Sequence, residues 1–105
     1  MIHALKEHCK HFEDLIWGRR TYEVRFADRP YREGDLLALN EYNPDLDTYT
    51  GRSCLVQVTN LWDDPKYVRE GYVIMSVRPV SIVTADELNP GAYLVPLITE
   101  PPEEE

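Results

Sequence analysis

Cysteine is nearly absent from this 105-residue sequence: Cys9 and Cys54 are the only two, too few for a disulfide framework, and both read as free thiols. Long apolar runs are missing as well. None approaches the roughly 20 residues that cross a bilayer, so no membrane-spanning helix and no membrane partner are expected. Met1 to His8 hold no unbroken apolar stretch of signal-peptide length, which points to a cytoplasmic protein. Only five glycines occur, and none forms a Gly-rich phosphate loop or a Gly-x-Ser-x-Gly elbow. Phosphate-loop nucleotide hydrolysis and serine hydrolase chemistry are left without support. Positive charge is also in short supply, with 11 Lys or Arg against 19 Asp or Glu and a formal charge of -8. Such a balance normally argues against a phosphate-bearing partner. No internal repeat is visible.

What is present suits one globular domain. The hydrophobic content of 43% is ordinary for a globular chain, and a chain of this length buries roughly two-thirds of its surface on folding. The acidic excess is unevenly placed: residues 1–34 carry net +1 and residues 35–105 net -9. Glu100, Glu103, Glu104 and Glu105 sit in a Pro-Pro-containing tail too poor in apolar residues to offset the entropy of ordering. A single domain over residues 1–98 and a disordered acidic tail over 99–105 are expected.

Periodicity assigns the elements. In residues 9–17, Phe12, Leu15 and Ile16 fall at i, i+3 and i+4, the spacing of an amphipathic helix, and Gly18 stops it. Residues 21–26 alternate with period two, Tyr22, Val24 and Phe26 on one face and Thr21, Glu23 and Arg25 on the other. Tyr22 is expected to fill the core. A Gly34-Asp35 turn leads into a strand over 36–42, and the loop at 43–47 into a long strand over 52–62. Gly71 opens a strand over 72–77 that Pro79 ends. Residues 84–87 fit a capped helical turn, and 93–98 a further strand. One early helix and four or five mostly antiparallel strands make an α+β chain, and so few strands tend to curl into a barrel that hides their edges.

The chemistry concentrates after the helix. Five arginines and no lysine lie between positions 19 and 32, opposed only by Glu23 and Asp28. A guanidinium is planar, permanently charged and grips phosphate or a base edge with two parallel hydrogen bonds, so an arginine-only cluster suits oriented recognition. A plain pairing of Glu23 with Arg25, worth about 0.2 to 1 kcal/mol when exposed, fits the same spacing.

The run Gly18-x-Arg20-x-x-Glu23-x-Arg25 after the helix resembles the Gly-x-Lys-x-x-Glu-x-Arg signature of ASCH domains, members of the PUA-like β-barrel group. More specifically, it looks like the small stand-alone ASCH-like proteins of unknown function found in bacteria and their phages. His3, Leu5 and Lys6 match an early His-x-Leu-Lys of those proteins. Asp28-Arg29, Gly34-Asp35, Glu41-Tyr42, Tyr49 to Arg52, and Gly71 to Val73 follow in the same order.

The resemblance implies a PUA-like small β-barrel of four to six strands, one main N-terminal helix packed on it, and a cleft between the two that binds RNA or a modified nucleoside. Arg20 and Arg25 would meet phosphate or a base edge, and Glu23 would orient Arg25 or accept from a base amino group. Thr21 and Arg29, beside them in the signature region, are expected to bind the ligand as well. His3 and Lys6 are ligand contacts by family position. Tyr42, Tyr49 and Tyr72 are candidate stackers, though barrel packing suits each singly.

Some ASCH relatives are enzymes. The branch that deacylates an acetylated cytidine uses a lysine where Arg20 stands, and an arginine does not lose its proton near neutral pH. A ribonuclease role would employ Glu23 to move a proton and Arg20 to stabilise a phosphorane. A third class, an acidic module that binds another protein, is motivated by the charge of residues 35–105. No cofactor is expected. His8, Cys9 and His11 lack a fourth ligand, so no metal is expected either. The oligomeric state stays open.

Overall fold

The chain begins with a strand, Ile2–His8 (β1), which the sequence reading did not include. Its apolar stretch is too brief and too soon interrupted by Lys6 and Glu7 for a period to show. His8 then caps a helix: its Nδ1 accepts from the Lys10 backbone N–H at 3.1 Å. Cys9–Ile16 (α1) buries Phe12 and Leu15 as the spacing requires. Gly18, at φ 75°, leaves the helix through the left-handed conformation.

Four more strands follow, Tyr22–Phe26 (β2), Leu36–Asn43 (β3), Thr48–Trp62 (β4) and Tyr72–Thr84 (β5). A computed structural model describes residues 1–84. The expected strand at 93–98, the tail at 99–105, and all of the helical turn at 84–87 beyond Thr84 lie outside the described residues. So does the expected domain end at residue 98.

The strands form one sheet in the order β1-β3-β4-β5-β2. β1 runs parallel to β3, and every other pair is antiparallel. The result is a mostly-β half-barrel with one short helix, in keeping with a small α+β barrel. Its inner face meets α1 in a core that includes Leu5, Phe12, Leu37, Leu39, Val56 and Met75. Each such side chain stabilises the fold by about 1.5 to 3 kcal/mol through burial. Among the described residues no helix is long and apolar enough to cross a membrane.

Two expectations fail. β2 alternates as read but with the faces reversed: Glu23 and Arg25 are buried at 1% and 7% exposure, whereas Tyr22, Val24 and Phe26 stay 48%, 44% and 46% exposed. Tyr22 therefore does not fill the core. The physical reason is that β2 is an edge strand whose charged side chains find partners across the open side of the half-barrel. Pro79 does not end β5 either. It pairs with Val56 where the register shifts between Leu55 and Val56, and a bulge tolerates a residue without a backbone N–H.

Candidate functional site: a polar seam between the edge strands

Curling the sheet brings its two edges, β1 and β2, to face each other, and the seam between them is built from charge. Glu23 and Arg25, two residues apart on β2, point to the same side, and the Arg25 Nε donates to Glu23 Oε1 at 2.9 Å. Arg25 Nη2 crosses the seam to the Lys6 carbonyl and to Glu7 Oε1, both at 2.9 Å. Arg20, in the turn between α1 and β2, sets Nη1 3.5 Å from Glu7 Oε2. The guanidinium of Arg20 also lies over the Tyr22 ring, 5.0 Å from its centroid, a favourable cation–π placement. Two carboxylates and two guanidiniums thus meet at the interior end of β1.

The electrostatics of this group are unusual. Burial, and next the adjacent Glu23 carboxylate, push Glu7 up to about 9, against the opposing pull of Arg25 and Arg20. Raised this far, the Glu7 carboxyl keeps its proton near neutral pH. The core begins beside it: burial, then Glu7 and Glu23, push the Cys54 thiol up to about 11. Several polar atoms here are buried and have no hydrogen-bond partner, namely Arg20 Nε, Arg20 Nη1 and Glu23 Oε2. A buried polar group left unpaired costs about 1 to 3 kcal/mol.

A family model described as a domain of unknown function, DUF3850, matches residues 2–77. The chain belongs to the DUF3850 family. It is also 34% identical over 74 residues to an Escherichia phage P2 protein described as an uncharacterized 12.9 kDa protein in the GpA 3' region. That match covers 70% of this chain and 65% of the phage protein, so the chain spans just under two thirds of that relative. The DUF3850 span includes β1, α1 and β2, and with them every residue of the seam.

The DUF3850 fold brings together some of the expected residues and separates others. Arg20, Glu23 and Arg25 converge. Arg29 lies further along the same seam, with Nη1 3.5 Å from the Ala4 carbonyl and Nε 3.2 Å from Asp28. Its Nη2 is buried and unpartnered, and it lines a hollow of about 180 Å³ with Tyr31, Leu61 and Asp63. His3, at the far end of β1, is committed elsewhere: its Nε2 sits 2.8 Å from Asp35 Oδ2. Burial raises the Asp35 carboxyl, but hydrogen bonds from His3, the Arg32 backbone and the N-terminus outweigh it and hold the group below the usual carboxylate range. Lys6 lies over the Tyr42 ring, 4.4 Å from its centroid. Thr21 is exposed, and its carbonyl accepts from Val77. Tyr72 packs edge-on against Phe26 on the outer face of the sheet.

Glu7 was missed by sequence reasoning. No local pattern marks it, since a glutamate between Lys6 and His8 reads as a solvated residue. Glu41-Tyr42 and Tyr49 to Arg52, singled out in the sequence, turn out to be paired in a second cluster. Arg52 grips both oxygens of Glu41 at 2.9 and 3.1 Å and reaches Glu13 of α1 at 2.9 Å, with its guanidinium 4.9 Å from the Phe12 ring centroid. This second cluster fastens α1 to the sheet and so fixes the turn that carries Arg20.

Proposed function

We propose that the DUF3850 chain binds RNA or a modified nucleoside at the polar seam, in a cleft between α1 and the half-barrel wall. One observation carries this reading: Arg20 Nε and Glu23 Oε2 are buried without a hydrogen-bond partner, and Arg20 Nη1 has the Glu7 carboxylate at 3.5 Å but no hydrogen bond. A base edge presents donors and acceptors adjacent to one another and supplies what these atoms lack. Arg25 acts differently from the sequence expectation, orienting Glu23 and adding positive charge while its own bonds close the seam. The half-barrel and the ordered motifs support an ASCH-like, PUA-like fold, and a cytoplasmic site of action accords with it.

Hydrolysis at the same seam is a second reading, favoured by the proton that Glu7 holds near neutral pH. A carboxylic acid beside two guanidiniums has the parts of a general acid with an oxyanion-stabilising neighbour. A nucleoside and oligonucleotide panel at low salt, run on wild type, Arg20→Gln and Glu23→Gln, tests both. The expected result is binding by wild type that falls at least tenfold in Arg20→Gln, with an unchanged melting temperature. Product formation abolished by Glu23→Gln assigns hydrolysis. Equal affinity of wild type and Arg20→Gln overturns the site, and no binding at low salt overturns the function.

A further inference from the structure

β2 exposes its apolar side, and the consequence lies on the outside of the sheet. Cross-strand pairing puts Trp62, Ile74 and Val24 in one row across β4, β5 and β2, and Phe26 with Tyr72 in the next. Paired residues share a face, so Tyr22, Phe26, Tyr72 and Trp62 stand together on the outer surface. Tyr67 extends the patch by stacking on Trp62, with centroids 5.6 Å apart. Trp62 and Tyr67 are 50% and 68% exposed. A continuous aromatic surface of this kind marks an interaction face.

Its chemistry selects the partner. Guanidiniums are held over two of the rings, Arg20 over Tyr22 at 5.0 Å and Arg69 over Tyr72 at 5.5 Å. An open sheet that combines exposed rings with cations is how single-stranded nucleic acid is bound: bases stack on the rings and phosphates meet the arginines. Arg20 belongs to both places, since the same side chain pairs with Glu7 inside the seam. From Tyr22 to Phe26 the strand covers about 13 Å, more than the about 3.4 Å between stacked bases.

We infer that the outer face of β2, β5 and β4 is a stacking platform for single-stranded nucleic acid, continuous with the seam through Arg20. The inference rests on the reading of the seam as a nucleotide site and extends its ligand from one nucleotide to a short strand. The test compares uridine monophosphate with a single-stranded uridine octamer by calorimetry, on wild type, Trp62→Ala, Tyr67→Ala and Phe26→Tyr. The octamer is expected to bind at least tenfold tighter than the monophosphate. Trp62→Ala and Tyr67→Ala each lose roughly tenfold in octamer affinity, as expected for a removed stacking partner, and keep monophosphate affinity, while Phe26→Tyr retains both. Monophosphate binding with no gain for the octamer overturns the platform and leaves the seam standing. Failure of both ligands overturns the seam reading and the platform together. Octamer binding insensitive to the ring deletions, or self-association that they abolish, assigns the face to a protein contact and overturns the inference.

Discussion

At the scale of single residues, the seam is governed by one proton. Glu7 titrates from an ordinary 4.5 in the unfolded chain to about 9 in the fold, with burial as the leading cause and Glu23 next. Below about 4.5 both states hold the proton; above it the unfolded chain gives up a proton that the folded chain keeps. The stability that this group contributes is therefore lost as pH rises from about 4.5 to 9, at up to about 1.4 kcal/mol per pH unit. Thermal melts at pH 5, 7 and 9 should show wild type weakening with pH, and Glu7→Gln, which is neutral throughout, should flatten that trend. A wild-type profile with the same slope as Glu7→Gln counts against a proton held on Glu7. Asp35 works in the opposite sense: its depressed value adds stability that is lost as pH falls through the acid range.

At the scale of elements, β2 is a strand turned inside out. An exposed ion pair contributes little, but Arg25 is enclosed, and removing one partner of a buried pair leaves a charge uncompensated at a cost of roughly 3 to 5 kcal/mol. Urea unfolding of Arg25→Ala should register a loss of that order, whereas Tyr22→Ser on the outer face should cost less than about 1 kcal/mol. The reverse ranking would mean that β2 packs as its alternation first suggested. The same inversion explains how much of this element was readable. The period of two was visible in residues 21–26, and so was the membership of each face. Which face turns inward was not, because hydrophobicity favours the wrong one and the deciding partner, Glu7, lies on a strand that shows no period of its own. The turn into β5 adds a local constraint. Gly71 has φ 89°, and a Cβ there would sit 3.2 Å from the Phe26 ring, so the outer aromatic row and the turn fit together only with glycine.

At the scale of the whole molecule, the seam arginines belong to a chain of formal charge -8. Long-range repulsion from the acidic excess is screened by salt, and so is attraction to arginine, over the about 8 Å Debye length of physiological ionic strength. Short single strands and mononucleotides, which engage only the local field, should bind in preference to long duplexes. Their affinity should fall as salt rises from 50 to 200 mM because phosphate neutralisation releases counterions. Fluorescence anisotropy across that range checks this, and a preference for a long duplex over a short single strand would contradict it.

Helix α1, its stop at Gly18, the alternating strands and the arginine-only run were settled by local spacing, since each depends on residues a few positions apart whose periodicity survives any tertiary arrangement. Only the folded chain decided that β1 and β2 meet, that Glu7 joins Arg20, Glu23 and Arg25, and that β2 keeps its aromatic side outward. Those outcomes depend on which sheet edges come together, and burial of charge is favourable only once the compensating charge has arrived from the other edge.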